Sequence, residues 1–187
     1  MPGARSTGTC TSWTRPLFVP ISTLPAPAGL AQSGGLAADE ALGRSQGGFS
    51  TKLHLRAEGG GKPILAVLTG GERHEQIALE ALLDGGPIRR PGSGRPRLRP
   101  RRLAGDKGYS SPTARRRLRR RGIRPVIPTK SNERRQPRFD REAYRRRNQI
   151  ERLINRLKQP RRIATRYEKR AANYLAMIHI GMILLWL

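Results

Sequence analysis

Residues 144–158 read Tyr-Arg-Arg-Arg-Asn-Gln-Ile-Glu-Arg-Leu-Ile-Asn-Arg-Leu-Lys, a run with neither Gly nor Pro that stops just short of Pro160. Ile150, Leu153, Ile154 and Leu157 recur at the spacing that lines one side of a helix, so the run predicts one amphipathic helix with its apolar side on a core. At about 100° per residue, Tyr144, Arg147, Glu151 and Lys158 share a single stripe along the border of that apolar side. A carboxylate placed there sits at the lip of a cleft. Periodicity alone also fits an Arg-rich solvated helix in which Glu151 pairs with Asn155 or Arg147.

The segments before this helix carry other patterns. Leu53, Leu55 and Ala57 alternate with Lys52, His54 and Arg56, predicting a half-buried strand; the turn 58–61 leads from it into a second strand over 64–68. Residues 75–83 read as a short helix closed by Gly85 and Gly86. Residues 87–100 alternate Arg, Pro and Gly and form a basic loop. A short strand over 101–105 then ends at Asp106, a helix over 112–121 starts at Pro112 and stops at Gly122, and 124–128 is a further short strand. The tail 171–187 is nearly all apolar, but with Asn173 and His179 inside it falls short of the roughly 20 residues a membrane span needs. It is expected to cover the sheet, and no membrane partner is expected.

The chain has 187 residues, enough for one domain. Against 13 Asp and Glu stand 38 Lys and Arg, a net charge of +25. Most of these cations are Arg, whose planar fork suits phosphate, so the expected partner is double-stranded DNA or another nucleic acid. Cys10 is the single cysteine; it excludes an internal disulfide and a Cys-based zinc site, and His54, His74 and His179 are scattered. These features, and the lack of a signal-peptide pattern, suggest a cytoplasmic, nucleoid-associated protein. Residues 1–38 lack acidic residues and are rich in Pro, Gly, Ser and Thr. They are expected to form a disordered arm, with Arg5 and Arg15 available to DNA.

Tyr144, Arg147, Glu151 and Lys158 stand at the spacings of the C-terminal signature of DDE-type insertion-sequence transposases. The stretches 43–54 (Gly-Arg-Ser-Gln-Gly-Gly-Phe-Ser-Thr-Lys-Leu-His), 105–109 (Gly-Asp-Lys-Gly-Tyr) and 163–167 (Ile-Ala-Thr-Arg-Tyr) resemble, in order, the branch of that family named after insertion sequence five. The resemblance covers about residues 41–187. It implies a ribonuclease-H-like α/β fold and DNA transposition through metal-dependent strand cleavage and joining. It makes Asp106 and Glu151 the second and third catalytic carboxylates and the metal ligands, for a pair of Mg²⁺ ions. It further implies DNA contacts from Tyr144, Arg147, Lys158, Arg44, Lys52 and Arg166, with Arg147 also able to brace Glu151. His74 either touches the active site, as a His often does in the family, or caps and packs. Asp106 read by itself is also a common turn former.

The family's first catalytic Asp, on a strand a couple of dozen residues before the Gly-Arg-Ser-x-Gly-Gly motif, has no counterpart in this chain. Asp39 and Glu40 are the acids upstream of the hairpin, and they lie too close to Gly43 and Arg44. Back-translated with allowed codons and read two bases later, residues 13–27 give DETLVRAHQHAAGA, which resembles the missing strand. The expectation is therefore a frameshifted arm over 1–40 and, over 41–187, an incomplete ribonuclease-H-like domain that lacks its first strand. Such a chain is a truncated, inactive transposase, resembling the second half of its gene, with self-association or an upstream transposase half as possible partners. The alternative is a basic nucleic-acid-binding protein without catalysis.

Overall fold

Backbone groups of an extended segment must find partners, and here they are met by one mixed sheet. A computed structural model describes residues 17–19, 21–27, 40–86, 99–133 and 136–187, and the strands are β1 (Leu17–Val19), β2 (Ile21–Pro25), β3 (Gly43–Ser45), β4 (Gly48–Ala57), β5 (Pro63–Gly70), β6 (Arg102–Gly105) and β7 (Arg124–Val126). β4 pairs antiparallel with β5 on one side and with β2 and β1 on the other. β1 continues into parallel pairing with β6, and β6 with β7. β3 folds back antiparallel on the start of β4 through a turn where Gly48 has φ +104°, a left-handed conformation that side chains disfavour. Three antiparallel strands followed by two parallel ones, with helices on both faces, fit the ribonuclease-H-like architecture.

The helices are α1 (Ile77–Asp84), α2 (Pro112–Arg120), α3 (Arg141–Arg145), α4 (Asn148–Leu157), α5 (Arg161–Ala164) and α6 (Ala171–Leu184). On one sheet face α1 and α2 bury Leu79, Leu82, Ala114 and Leu118 with Val19, Leu103 and Ile127. On the other, α4 and α6 bury Ile150, Leu153, Leu157, Tyr174 and Ile178 with Leu53, Leu55 and Val126. The α6 backbone comes so close that a Cβ at Gly181 would lie 2.7 Å from Ile163 Cδ1 and 3.0 Å from Leu157 Cδ1. The tail covers the sheet with only part of its surface, since Ile180, Ile183 and Leu184 are exposed. Among the described residues, no helix is long and apolar enough to cross a membrane.

Three expectations need correction. First, the sheet does have a first strand: residues 17–19 and 21–25 fill that position as β1 and β2, with Val19 level with Gly105 and Ile21–Pro25 opposite Ser50–His54. The part of the arm described here is therefore ordered. Open hydrogen-bonding edges on β4 and β6 accept an extended segment regardless of its turn-rich composition, and Val19 and Leu24 are apolar enough to be buried. The rest of the arm, with Arg5, Cys10 and Arg15, and the basic stretch 87–98 lie outside the described residues.

Second, β4 is covered on both faces. His54 and Arg56, which alternation assigns to solvent, are 0% and 1% exposed because the end of α1 lies over Arg56, which donates to Leu82 O and Leu83 O, and the Tyr109 side chain meets His54. Third, 144–158 is not one helix. Arg147 N–H donates to Tyr144 O, Gln149 N–H to Arg146 O and Ile150 N–H to Arg147 O, so a tight turn separates α3 from α4. The turn joins two separately anchored pieces: Asp140 caps α3 at Ala143 N and pairs with Arg102 of β6, whereas α4 is held by its apolar stripe.

Candidate functional site

Asp106 is the residue at which β6 ends, and its neighbours explain why the chain turns there. Its carboxylate accepts from Lys107 N–H and its carbonyl from Tyr109 N–H, closing one short turn over Lys107–Tyr109. The Tyr109 side chain drops beneath that turn and is fully buried, with its hydroxyl 2.9 Å from His54 Nδ1. His54 Nε2 in turn lies 2.8 Å from Thr69 Oγ1 on β5. Burial lowers the His54 pKa from 6.5 to about 4, so its imidazole is neutral at pH 7. Burial likewise pushes the Tyr109 phenol well above its ordinary range. A neutral Thr69–His54–Tyr109 chain thus props the turn that presents Asp106. This support was missed in the sequence, where His54 reads as a solvent-facing strand residue.

Glu151 lies in the first turn of α4, and Arg147 sits one turn earlier. Arg147 Nη2 is 3.2 Å from Asp106 Oδ1 and 3.2 Å from Glu151 Oε1, so the two carboxylate oxygens lie within twice that distance of each other. Arg147 Nη1 also donates to the Tyr144 hydroxyl at 3.4 Å, and its guanidinium lies 5.8 Å from the Tyr144 ring centroid. Tyr144 packs against Phe139 at 5.5 Å between ring centroids. Asp106, Arg147 and Glu151 are all partly open to solvent. The structure therefore brings together Tyr144, Arg147, Glu151 and Asp106, residues that reach this place from two separate stretches of chain.

The other residues singled out by the sequence stand elsewhere. Lys158 ends α4 half-buried, with Nζ 3.5 Å from Thr23 O on β2, and burial holds its ammonium below the usual lysine range. Lys52 Nζ pairs with Glu75 Oε1 at 3.0 Å and donates to Arg73 O at 2.7 Å. Burial pushes the Glu75 carboxyl up, but a backbone hydrogen bond and Lys52 outweigh it and hold it below its ordinary range. His74 Nδ1 accepts from Gln76 N–H at the entry to α1. Arg44 is exposed on β3.

Arg166 requires a correction. Direct DNA contact needs an exposed guanidinium, and this one is 0% exposed. It donates to Glu40 O, Ala41 O, Thr51 Oγ1, Glu168 O and Lys169 O, tying the chain before β3 to the loop between α5 and α6. Its place is structural.

Carboxylate oxygen is the donor that Mg²⁺ prefers, and Asp106 and Glu151 supply two such groups side by side. Among the described residues, however, no third His, Cys, Asp or Glu joins them, and a guanidinium lies between them. Residues 17–19 and 21–27 of the first-strand region contain no acid. This donor set does not fit a two-ion site, for which further anchoring oxygens are needed.

The transposase DDE domain family matches residues 39–187. The chain is 34% identical over 135 residues to the transposase assigned to insertion sequence element IS402 of Burkholderia cepacia, a match covering 72% of this chain and 62% of that protein. It is 39% identical over 62 residues to the transposase assigned to IS6501 of Brucella ovis, covering 33% of this chain and 45% of that one. The matches thus span less than two thirds of either relative. With a family match that runs through β3 to α6 and takes in Asp106, Arg147 and Glu151, the chain belongs to the DDE-type insertion-sequence transposases.

Proposed function

We propose that this chain is a DNA-transposition protein of the branch named after insertion sequence five, in which Asp106 and Glu151 are two of the carboxylates for metal-dependent strand cleavage and joining. In this reading the chain binds double-stranded DNA but does not carry out the reaction. The observation that carries it is the single Arg147 nitrogen 3.2 Å from both carboxylates. Two anions so close repel each other unless a cation lies between them, and a guanidinium there does the job that metal ions would do in a complete site. Tyr144 and Arg147 line the same place, and Lys158 and Arg44 are further candidates for DNA phosphates.

The frameshift reading supports the same conclusion, because residues 17–19 and 21–25 extend the sheet without an acid. The experiment compares Mg²⁺-dependent cleavage of the element's DNA ends by three proteins: this chain, the frame-restored chain joined to the segment its gene encodes upstream, and that protein carrying Glu151→Gln. Activity is expected from the second alone. Robust cleavage by the unmodified chain would overturn the reading of inactivity, and full activity of Glu151→Gln would remove Glu151 from the site. A second reading, a basic nucleic-acid-binding protein without catalysis, rests on the net charge of +25; it predicts DNA binding in all three and cleavage in none.

A further inference from the structure

Helix α2 holds more positive charge than its packing uses. Arg115 is buried and donates to Ile127 O, Pro128 O and Ser110 Oγ, with Glu133 Oε2 at 3.2 Å. Arg117 pairs with Glu80 of α1, and Arg121, just past the end of α2, pairs with Glu80 and Asp84. These three contacts account for the two sides of α2 that face the protein. Arg116, Arg119 and Arg120 remain, all exposed, and none has an acidic partner within salt-bridge distance among the described residues.

Their spacing places the three on one side of the helix, where neighbouring like charges repel at a cost of a few tenths of a kcal/mol per pair. A position in the last turns of a helix offsets part of that cost through the macrodipole, yet Arg117 and Arg121 already supply cations there. Together with Pro112 and Asn132, the three line an open cleft between α2 and residues 132–133 and 136–137. Glu133 is the acid lining that cleft, and its carboxylate is taken up by Arg115, Ser110 and Lys130 N–H. Among the described residues the opening is left with guanidinium forks and no competing anion, the arrangement that suits phosphate oxygens.

Helix α2 packs on the sheet face opposite the one that carries α4. We propose that Arg116, Arg119 and Arg120 form a second DNA surface, gripping the phosphate backbone of duplex DNA on the far side of the sheet from Glu151. This rests on the DNA-binding part of the proposed function. The surface holds DNA without reading its bases, since guanidinium contacts to phosphates carry no sequence information.

The test is the salt dependence of binding between the full chain and a random-sequence duplex. Each neutralised phosphate adds about 0.9 to the slope of log K against log salt. The triple variant Arg116→Gln, Arg119→Gln, Arg120→Gln is expected to lower that slope by about 2 to 3 while its circular dichroism and melting temperature stay unchanged. The corresponding Arg→Lys triple is expected to keep most of the slope. A control that removes the same charge elsewhere, Arg161→Gln, Arg162→Gln, Arg170→Gln, is expected to change it by less than half as much. Unaltered slope in the α2 triple, or an equal loss in both triples, would overturn the second surface while leaving DNA binding intact. Failure of the unmodified chain to bind duplex DNA would overturn both.

Discussion

His54 shows how a residue's surroundings reverse its apparent part. On a strand whose alternate side faced water it would titrate normally, but buried against Tyr109 and Thr69 its pKa falls to about 4. The unfolded chain, with a pKa near 6.5 for this group, takes up the proton first as pH falls. Stability from this residue is therefore complete above about 6.5 and falls as pH drops towards about 4. The full difference is about 3 kcal/mol. Urea unfolding between pH 7.5 and 4 should show this loss, and His54→Gln should flatten it; an unchanged pH profile in that variant would show that other groups govern the acid limb. Tyr109→Phe removes the hydroxyl that His54 Nδ1 meets at 2.9 Å, leaving a buried nitrogen unpartnered. A loss of about 1 to 3 kcal/mol is expected, measured by denaturant unfolding, and a neutral result would mean that water replaces the hydroxyl.

Among the elements, α4 joins stability to the site most directly. Leu153 is 0% exposed in the cluster with Leu53, Leu55 and Ile178, and the same helix presents Glu151 on its rim. Leu153→Ala should cost about 2 to 5 kcal/mol, whereas Glu151→Gln at a half-open position should change stability by less than about 0.5 kcal/mol. Comparable losses in the two would mean that the Asp106–Arg147–Glu151 cluster holds α4 in place. The break between α3 and α4 has a related consequence. Because Arg147 sits at the tight turn, its guanidinium reaches back to Tyr144, forward to Glu151 and across to Asp106, contacts that a helical wheel only half anticipates.

For the whole molecule, the net charge of +25 works against compactness. Thirteen acids cannot neutralise 38 cations, and several of those acids, Glu80, Asp84, Glu133 and Asp140 among them, are already paired. Screening should thus stabilise the chain: the melting temperature is expected to rise as NaCl goes from about 0.05 to 0.3 M, where the Debye length shortens. A fall would show that surface ion pairs outweigh the self-repulsion.

The sequence by itself determined the apolar stripe of α4, the β4–β5 hairpin, α1, α2 and the strand that ends at Asp106, because each follows from local periodicity and turn chemistry. It also determined the family, since four motifs keep their order and spacing along the chain. Tertiary structure alone decided what lies on the second face of β4, that Arg166 is interior, that residues 17–19 and 21–25 enter the sheet, and that one Arg147 nitrogen meets both carboxylates. Those outcomes depend on which surfaces are brought together across long stretches of chain, and no local pattern records what will be packed on top of it.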